Sequence, residues 1–254
     1  MSKKLVLFSG GMDSLAMMLE VIELYGTENI ISLGFDYGQR HFTMENNAAT
    51  IFCAKHNIPR RVLKIGLDQI GGCSLVDSNI PVTTDMKQQR STVVPMRNSI
   101  FLMYAAAFAQ VTDCDMIFHG ACAEDYSAYR DCRPTYFRLM EAAIQAGITQ
   151  PKIGLENVED DMYVNLNKSG VYGYNKFCLP QRLDITIQTP LINQTKAETM
   201  KRILSKYPVS IYEDSYTCYN GNDLSCSKCP ACVERLNAFK ENNVTDPIKY
   251  VEIV

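Results

Sequence analysis

The chain reads as an α/β protein: a parallel sheet with helices on both faces, followed by a small cysteine-bearing C-terminal segment. Three observations predict this. Apolar runs of strand length alternate with stretches of helical composition, as in sheets whose strands are buried on both faces. The first run, Lys4-Leu5-Val6-Leu7-Phe8, ends abruptly in Ser9-Gly10-Gly11-Met12-Asp13-Ser14. Near the other end, Cys218, Cys226, Cys229 and Cys232 fall within fifteen residues.

Taken in order, the first run is a buried strand, because five apolar-rich residues stopped by Ser-Gly-Gly mark a strand turning into a loop. The next stretch, Leu15-Ala16-Met17-Met18-Leu19-Glu20-Val21, has helical composition. Further strands are predicted at 30–35, 61–65, 116–119 and 185–187, with helices at 42–56, 99–111, 134–146 and 195–206. In such folds ligands sit beyond the carboxyl ends of the strands. That places the 9–14 loop and Asp36-Tyr37-Gly38-Gln39-Arg40 at the mouth of one site.

A strand-to-helix turn with two glycines and two serines aims backbone N–H groups and a helix dipole at one point, a concavity suited to phosphate. The plain alternative is a tight turn. The preceding strand and the trailing Asp13-Ser14 favour the phosphate reading. No Lys follows in the G-x-x-x-x-G-K-[ST] pattern, so this stretch places no point charge for the β- and γ-phosphates. Because the turn is exposed, Asp13 is expected to be replaceable without loss of the fold.

Residues 148–183 break the alternation. They are rich in Asn, Gly, Tyr and Asp and read as a long excursion, either a lid or contact surface or a tolerated surface insertion. On composition alone the plain insertion leads.

Composition bounds the remaining choices. At 254 residues, 46% apolar and 21% charged, the chain can bury a full core. The division expected is 1–208 for the main domain and 209–254 for the C-terminal segment. A net charge of −3 gives no electrostatic case for direct nucleic-acid binding. No apolar run approaches the ~20 residues that span a bilayer. Residues 1–8 lack a signal-peptide layout, so a cytoplasmic location is expected.

Cys218-x7-Cys226-x2-Cys229-x2-Cys232 offers four soft ligands, and C-x-x-C spacing lets sulfurs converge on one ion. The turn chemistry of Tyr219-Asn220-Gly221-Asn222-Asp223 can fold the first cysteine back toward the others. An iron–sulfur cluster and a redox dithiol are the rivals. A dithiol would need only two of the four, and nothing else here suggests electron transfer. A closed structural zinc site is therefore expected, with no open position for catalysis. The other six cysteines are scattered.

The 9–14 loop resembles the SGGxDS loop of the ATP pyrophosphatase (PP-loop) family, whose members cleave ATP to AMP and pyrophosphate. Further segments narrow the resemblance. They are Tyr37-Gly38-Gln39-Arg40-His41, Val94-Pro95-Met96-Arg97-Asn98, Ala123-Glu124-Asp125-Tyr126-Ser127-Ala128-Tyr129-Arg130-Asp131-Cys132-Arg133-Pro134, Thr189-Pro190-Leu191 with Lys196-Ala197-Glu198, and the four cysteines. Together they resemble the 7-cyano-7-deazaguanine synthase (QueC) family, in family order from residue 4 to about 240.

The resemblance implies a Rossmann-like (adenine nucleotide alpha hydrolase-like) sheet and an ATP-dependent conversion of 7-carboxy-7-deazaguanine and ammonia to 7-cyano-7-deazaguanine. A carboxylate resists ammonia because its leaving group would be oxide. Adenylation makes AMP the leaving group, ammonia then gives the amide, and a second adenylation on the amide oxygen leads to the nitrile. Residue by residue, the resemblance implies ATP binding by Leu7, Phe8, Ser9, Gly10, Gly11, Met12, Asp13, Ser14, Leu15, Ala16 and Met17. Catalytic roles fall to Ser9, Asp13, Ser14 and Arg97. Magnesium would accompany ATP, with Asp13 helping to place it. The substrate pocket would be Tyr37, Gln39, Arg40, Arg97, Asn98, Glu124, Asp125, Tyr129, Asp131 and Arg133. Arg97 suits phosphate or carboxylate because its planar fork matches paired oxygens; its plain alternative is a surface ion pair. For Glu124-Asp125 that alternative is a solvated loop. His41 and His119 are each either a proton shuttle or, as an isolated His more often is, a packed or capping residue, and Cys132 is assigned no covalent role because the adenylate route requires none. A homodimer is implied as well.

Met96 stands where the family pattern VPGRN has Gly, and its side chain is expected to crowd whatever the glycine lets approach. The 148–183 excursion is longer than the family's usual link. Two rival functions follow. One is a paralogue that adenylates the same acid but stops at an amide with ammonia or a protein amine. The other is a non-catalytic nucleotide-binding module.

Overall fold

The structure is a computed structural model that describes residues 2–85, 91–125, 129–148 and 185–251. Its centre is β1 (Lys3–Leu7), whose Leu5 and Leu7 point to one face of the sheet while Val6 and the following Phe8 point to the other. Both sets are buried, which is why the run shows no polar alternation. Around β1 stand β2 (Ile30–Asp36), β3 (Arg60–Lys64), β4 (Cys114–Phe118) and β5 (Thr186–Gln188). All pairings are parallel, in the order β3-β2-β1-β4-β5.

The connections are helical. Helix α1 (Met12–Tyr25) and α2 (Phe42–Lys55) follow β1 and β2, and α5 (Lys196–Leu204) follows β5. Their apolar sides share one core layer with Val6, Phe8, Ile30 and Phe118. Helix α3 (Arg97–Val111) and α4 (Pro134–Gly147) cover the other face over Leu5, Leu33 and Ile117. The chain leaves β3 at one edge and re-enters beside β1 as β4, so the order reverses between β1 and β4. A crevice opens at the carboxyl ends of the strands at such a switch point. The loop after β1 lies there.

The predicted strands and helices appear at their expected places within one or two residues, except that the first helix runs from Met12 to Tyr25, three residues earlier and four later than the 15–21 stretch. One helix had no forecast, α6 (Pro230–Glu241), with Pro230 in its first turn. Its periodicity is hidden because Arg235 occupies a core position. That guanidinium is fully buried and bonded from Nε to Asp246 Oδ2 at 2.7 Å and from Nη1 to Ser215 Oγ at 2.7 Å. With Ala238 and Phe239 packed in the same layer as α1, the C-terminal segment is seated on the main core.

From residue 149 onward, the predicted 148–183 excursion lies outside the described residues. Among the described residues no helix is long and apolar enough to cross a membrane.

Candidate active site at the switch point of the sheet

The 9–14 loop is held open by its own side chains. Gly11 N–H donates to Ser9 Oγ at 3.1 Å, Gly10 N–H to Ser14 Oγ at 3.2 Å, and Ser14 Oγ–H to the Gly11 carbonyl at 3.0 Å. Gly10 has φ +102°, and a Cβ there would lie 2.3 Å from the Glu45 carbonyl oxygen. Only glycine lets α2 close on the loop at that distance. Leu15 N–H is the first amide to reach an acceptor within α1, the Gly11 carbonyl at 2.9 Å. The amides just ahead of it therefore form the exposed positive end of the helix.

The cation that the loop's own sequence lacks comes from elsewhere. Lys196, the first residue of α5, places Nζ 2.8 Å from Asp13 Oδ2 and 3.2 Å from Glu234 Oε2. Burial opposes its charge, but Asp13 chiefly, with other neighbouring acids, holds its pKa well above the usual lysine range. The expectation of no point charge is thus corrected: the charge is supplied across the sheet. A lysine at a helix N-terminus opposes the helix dipole, and that misplacement is the sequence signal for it.

The loop opens into a cavity of about 250 Å³. Of the expected residues, Leu7, Ser9, Gly11, Met12, Asp13 and Ser14 line it at one side, and Tyr37, Gln39, Arg97, Asn98, Glu124, Asp125 and Tyr129 line the remainder. Others are not brought there. Phe8, Leu15, Ala16 and Met17 are buried in the core layer. Gly10 packs against α2. Arg40 donates to the Asp77 and Ile80 carbonyls at 2.7 and 3.0 Å. Asp131 accepts from Asn98 N–H at 3.4 Å, and Arg133 is exposed at the start of α4.

Two expected contacts are turned inward. Glu124 Oε1 accepts from the backbone of Lys196 at 2.7 Å, and Asp125 Oδ2 from the backbone of Cys122 at 3.0 Å. Gln39 folds back, accepting from Tyr37 N–H at 2.8 Å and donating to the Phe35 carbonyl at 3.0 Å, which braces the turn after β2.

Arg97 lines the same cavity. Its guanidinium lies 6.0 Å from the Phe101 ring and 5.9 Å from the Tyr129 ring, a cation set among aromatics. Burial works against its charge, yet Tyr37 and Tyr129 outweigh burial and keep it protonated. Burial first, and Arg97 second, push both His41 and His119 down to about 4. Both imidazoles are neutral near pH 7. His119 Nδ1 accepts from Ala121 N–H at 3.1 Å, so its Nε2 carries the proton.

Met96 adopts φ +57° and ψ +17°, and its side chain is 63% exposed outside the cavity. The crowding expected of it is therefore corrected. A glycine pattern here answers to the left-handed backbone at the start of α3, not to a close approach.

Among the residues that sequence reasoning missed, Lys196, Glu45, Arg60, Phe101, Tyr219 and Glu234 all border the cavity. Glu45 is silent in sequence because an acid in the first turn of α2 looks like ordinary dipole compensation.

Beside this cavity, the sulfurs of Cys218, Cys226, Cys229 and Cys232 all lie within 4.8 Å of one another. Cys226 N–H points at Cys218 Sγ (3.4 Å) and Cys229 N–H at Cys226 Sγ (3.2 Å). Thiol donors from Cys229 and Cys232 pull the Cys218 pKa far below the ordinary range. Four convergent sulfurs with amides aimed at two of them fit a closed tetrahedral metal site. Thr217, Tyr219, Ala231 and Glu234, neighbours of these cysteines in sequence, line the cavity.

A family model described as "Queuosine biosynthesis protein QueC" matches residues 3–243. The 7-cyano-7-deazaguanine synthase of Acetivibrio thermocellus is 36% identical over 256 residues, covering 99% of both chains. Those of Psychromonas ingrahamii and Thermoplasma volcanium are 35% and 34% identical, each over 98% of this chain and over 99% and 90% of their own. Among solved structures, the U34-tRNA thiolase NcsA from Methanococcus maripaludis with its [4Fe-4S] cluster aligns at a TM-score of 0.44 and 17% identity, over 95% of this chain and 67% of that one. That structural likeness is too slight to bear on function.

Proposed function

The chain belongs to the QueC family of queuosine biosynthesis proteins, and from that premise we propose that it converts 7-carboxy-7-deazaguanine and ammonia to 7-cyano-7-deazaguanine at the expense of ATP. The observation that carries this reading is a single cavity that brings together the braced 9–14 loop, Lys196 and Arg97. The loop and Lys196 hold phosphates; Arg97 draws a carboxylate toward them.

The amides ahead of Leu15 and the Lys196 ammonium stabilise the charge that builds on the departing pyrophosphate. Ser9 and Ser14 keep the loop open, and Asp13 aims Lys196. Leu7 and Met12 border the nucleotide. Arg97 pairs with the substrate carboxylate, with Tyr37, Asn98 and Tyr129 around it. Gln39, Arg40 and Asp131 hold the surrounding loops, while Glu124 and Asp125 shape the wall beside Lys196. Magnesium bound with ATP shields phosphate charge, and Asp13 is the loop carboxylate available to it. The four cysteines hold one structural zinc, which fixes the wall carrying Tyr219 and Glu234. No role in direct nucleic-acid binding follows from a net charge of −3. A homodimer fits the exposed Met103, Tyr104 and Val111 along α3, and sedimentation would test it.

Mass spectrometry of the products from the acid, ATP and ammonium tests the reaction. The nitrile should appear with two AMP per molecule. An amide as the end product, or no AMP, would overturn the reading.

A further inference from the structure

The proposed chemistry makes a demand on the cavity that phosphate binding does not meet. Ammonia nitrogen arrives with at least three protons, and the nitrile nitrogen has none. A group in the cavity must accept them.

Most candidates are committed. Lys196 holds Asp13 and Glu234 through its ammonium and Glu124 through its backbone amide. Asp125 accepts from Cys122 N–H. His119 presents a protonated nitrogen, since its Nδ1 is taken by Ala121. Glu45 differs. Its side chain lines the cavity, and its ion-pair neighbour among the described residues, His41 Nε2, lies at 3.7 Å, beyond hydrogen-bond range. A Cβ built on Gly11 would lie 3.9 Å from Glu45 Oε1, so the carboxyl borders the phosphate loop. The guanidinium groups of Arg97 and Arg60 act on it from α3 and β3, and the Tyr37 hydroxyl from the turn after β2. Glu45 thus borders the phosphate loop and stands within electrostatic reach of Arg97 in the same cavity, near where an acyl group joined to the α-phosphate would sit.

We propose that Glu45 accepts the protons lost by the substrate nitrogen in both halves of the reaction, first as ammonia attacks the acyl carbon and then as AMP leaves that carbon to form the nitrile. This rests on the functional reading above. In the first half, the ammonia lone pair forms the C–N bond and the carbonyl pair moves to oxygen. A proton passes from nitrogen to the Glu45 carboxylate. The carbonyl then reforms and the C–O bond to AMP breaks, AMP keeping the electron pair. In the second half the adenylated amide loses its remaining N–H protons in turn to the same carboxylate. The last N–H pair becomes the third C–N bond as AMP departs. Glu45 returns each proton to water at the cavity mouth. Burial, partly offset by Arg97 and Arg60, pushes its carboxyl up to about 8, so the fraction that is ionised is a stronger base than an ordinary carboxylate, and that fraction grows as pH rises toward 8.

Rapid quenching of Glu45→Gln with the acid, ATP and ammonium tests this. The acyl adenylate should accumulate, and nitrile formed per adenylate should fall by about 100-fold or more. Glu45→Asp, which keeps a carboxylate one methylene shorter, should recover part of that ratio; it also carries the test if the Gln variant does not fold. An unchanged ratio without adenylate accumulation would overturn the proposal. So would loss of adenylation and amination in equal proportion, which would assign Glu45 to nucleotide binding. A wild-type protein that forms no adenylate from this acid would remove the functional reading, and this proposal with it.

Discussion

Lys196 Nζ lies 2.8 Å from Asp13 Oδ2, a pair 183 residues apart in sequence that joins the first residue of α5 to the loop after β1. The lysine side chain is 10% exposed, so removing one partner leaves a poorly solvated charge, a cost that surface ion pairs do not carry. The loop is consequently not a free-standing exposed turn.

Asp13→Ala should therefore cost stability as well as turnover, by about 2 kcal/mol for a part-buried charged hydrogen bond. Lys196→Met should cost a similar amount, because Asp13 and Glu234 would then face each other without a cation. Combining Lys196→Met with Asp13→Ala should recover part of that stability but none of the ATP–pyrophosphate exchange. Urea unfolding and exchange assays on all three proteins check the cycle; additive stability losses would show that the pair is not coupled.

Met96→Gly should stabilise the protein. The left-handed backbone at Met96 costs a side-chain-bearing residue about 1–2 kcal/mol. Glycine removes that strain but adds unfolded-state entropy, leaving a net gain of about 0.5–1 kcal/mol. For a chain of this size the melting temperature should rise by about 2 °C. Because the side chain points outside the cavity, kcat/KM should not move. A change in kcat/KM without a thermal shift would restore the crowding interpretation.

The contrast between these positions shows what the sequence carries. Strands β1 and β2 were legible because strands covered on both faces must be almost continuously apolar, and the Ser-Gly-Gly turn was legible because only glycine tolerates the Gly10 backbone. The cysteine spacing was legible because ligand convergence is local. Lys196, Glu45 and Arg97 meet only through the fold, and no spacing along the chain encodes that meeting. Helix α6 escaped notice because a buried Arg235, neutralised by Asp246, stands where an apolar residue would have revealed the period.

Metal removal should act on the cavity and not only on the C-terminal segment. Cys229→Ser breaks a set of four sulfurs, and structural zinc contributes on the order of 10 kcal/mol in small zinc peptides. With Tyr219 and Glu234 in the adjoining wall, the variant should lose metal, stability and ATP turnover together. Elemental analysis should find one zinc per chain in the wild type. Iron in active protein, or full activity without metal, would overturn the structural-zinc reading.

Acid stability should separate two buried groups of opposite sign. His119 titrates at about 4 when folded and near 6.5 when unfolded. Between those values the unfolded chain binds a proton that the folded chain refuses, so this residue's contribution is present above pH 6.5 and lost as pH falls toward 4. Glu45 works the other way: raised by burial to about 8, it holds a proton in the fold that the unfolded chain has released above about 4.5, so its contribution is present at acid pH and lost as pH rises through 8. His119→Asn, whose side-chain oxygen can still accept from Ala121 N–H, should flatten the acid loss of stability by about 2 kcal/mol between pH 6.5 and 4. Glu45→Gln should abolish the loss on the alkaline side, below pH 8. Urea midpoints measured from pH 4 to 9 read both slopes, and parallel curves for wild type and His119→Asn would mean that this imidazole is protonated in the folded protein.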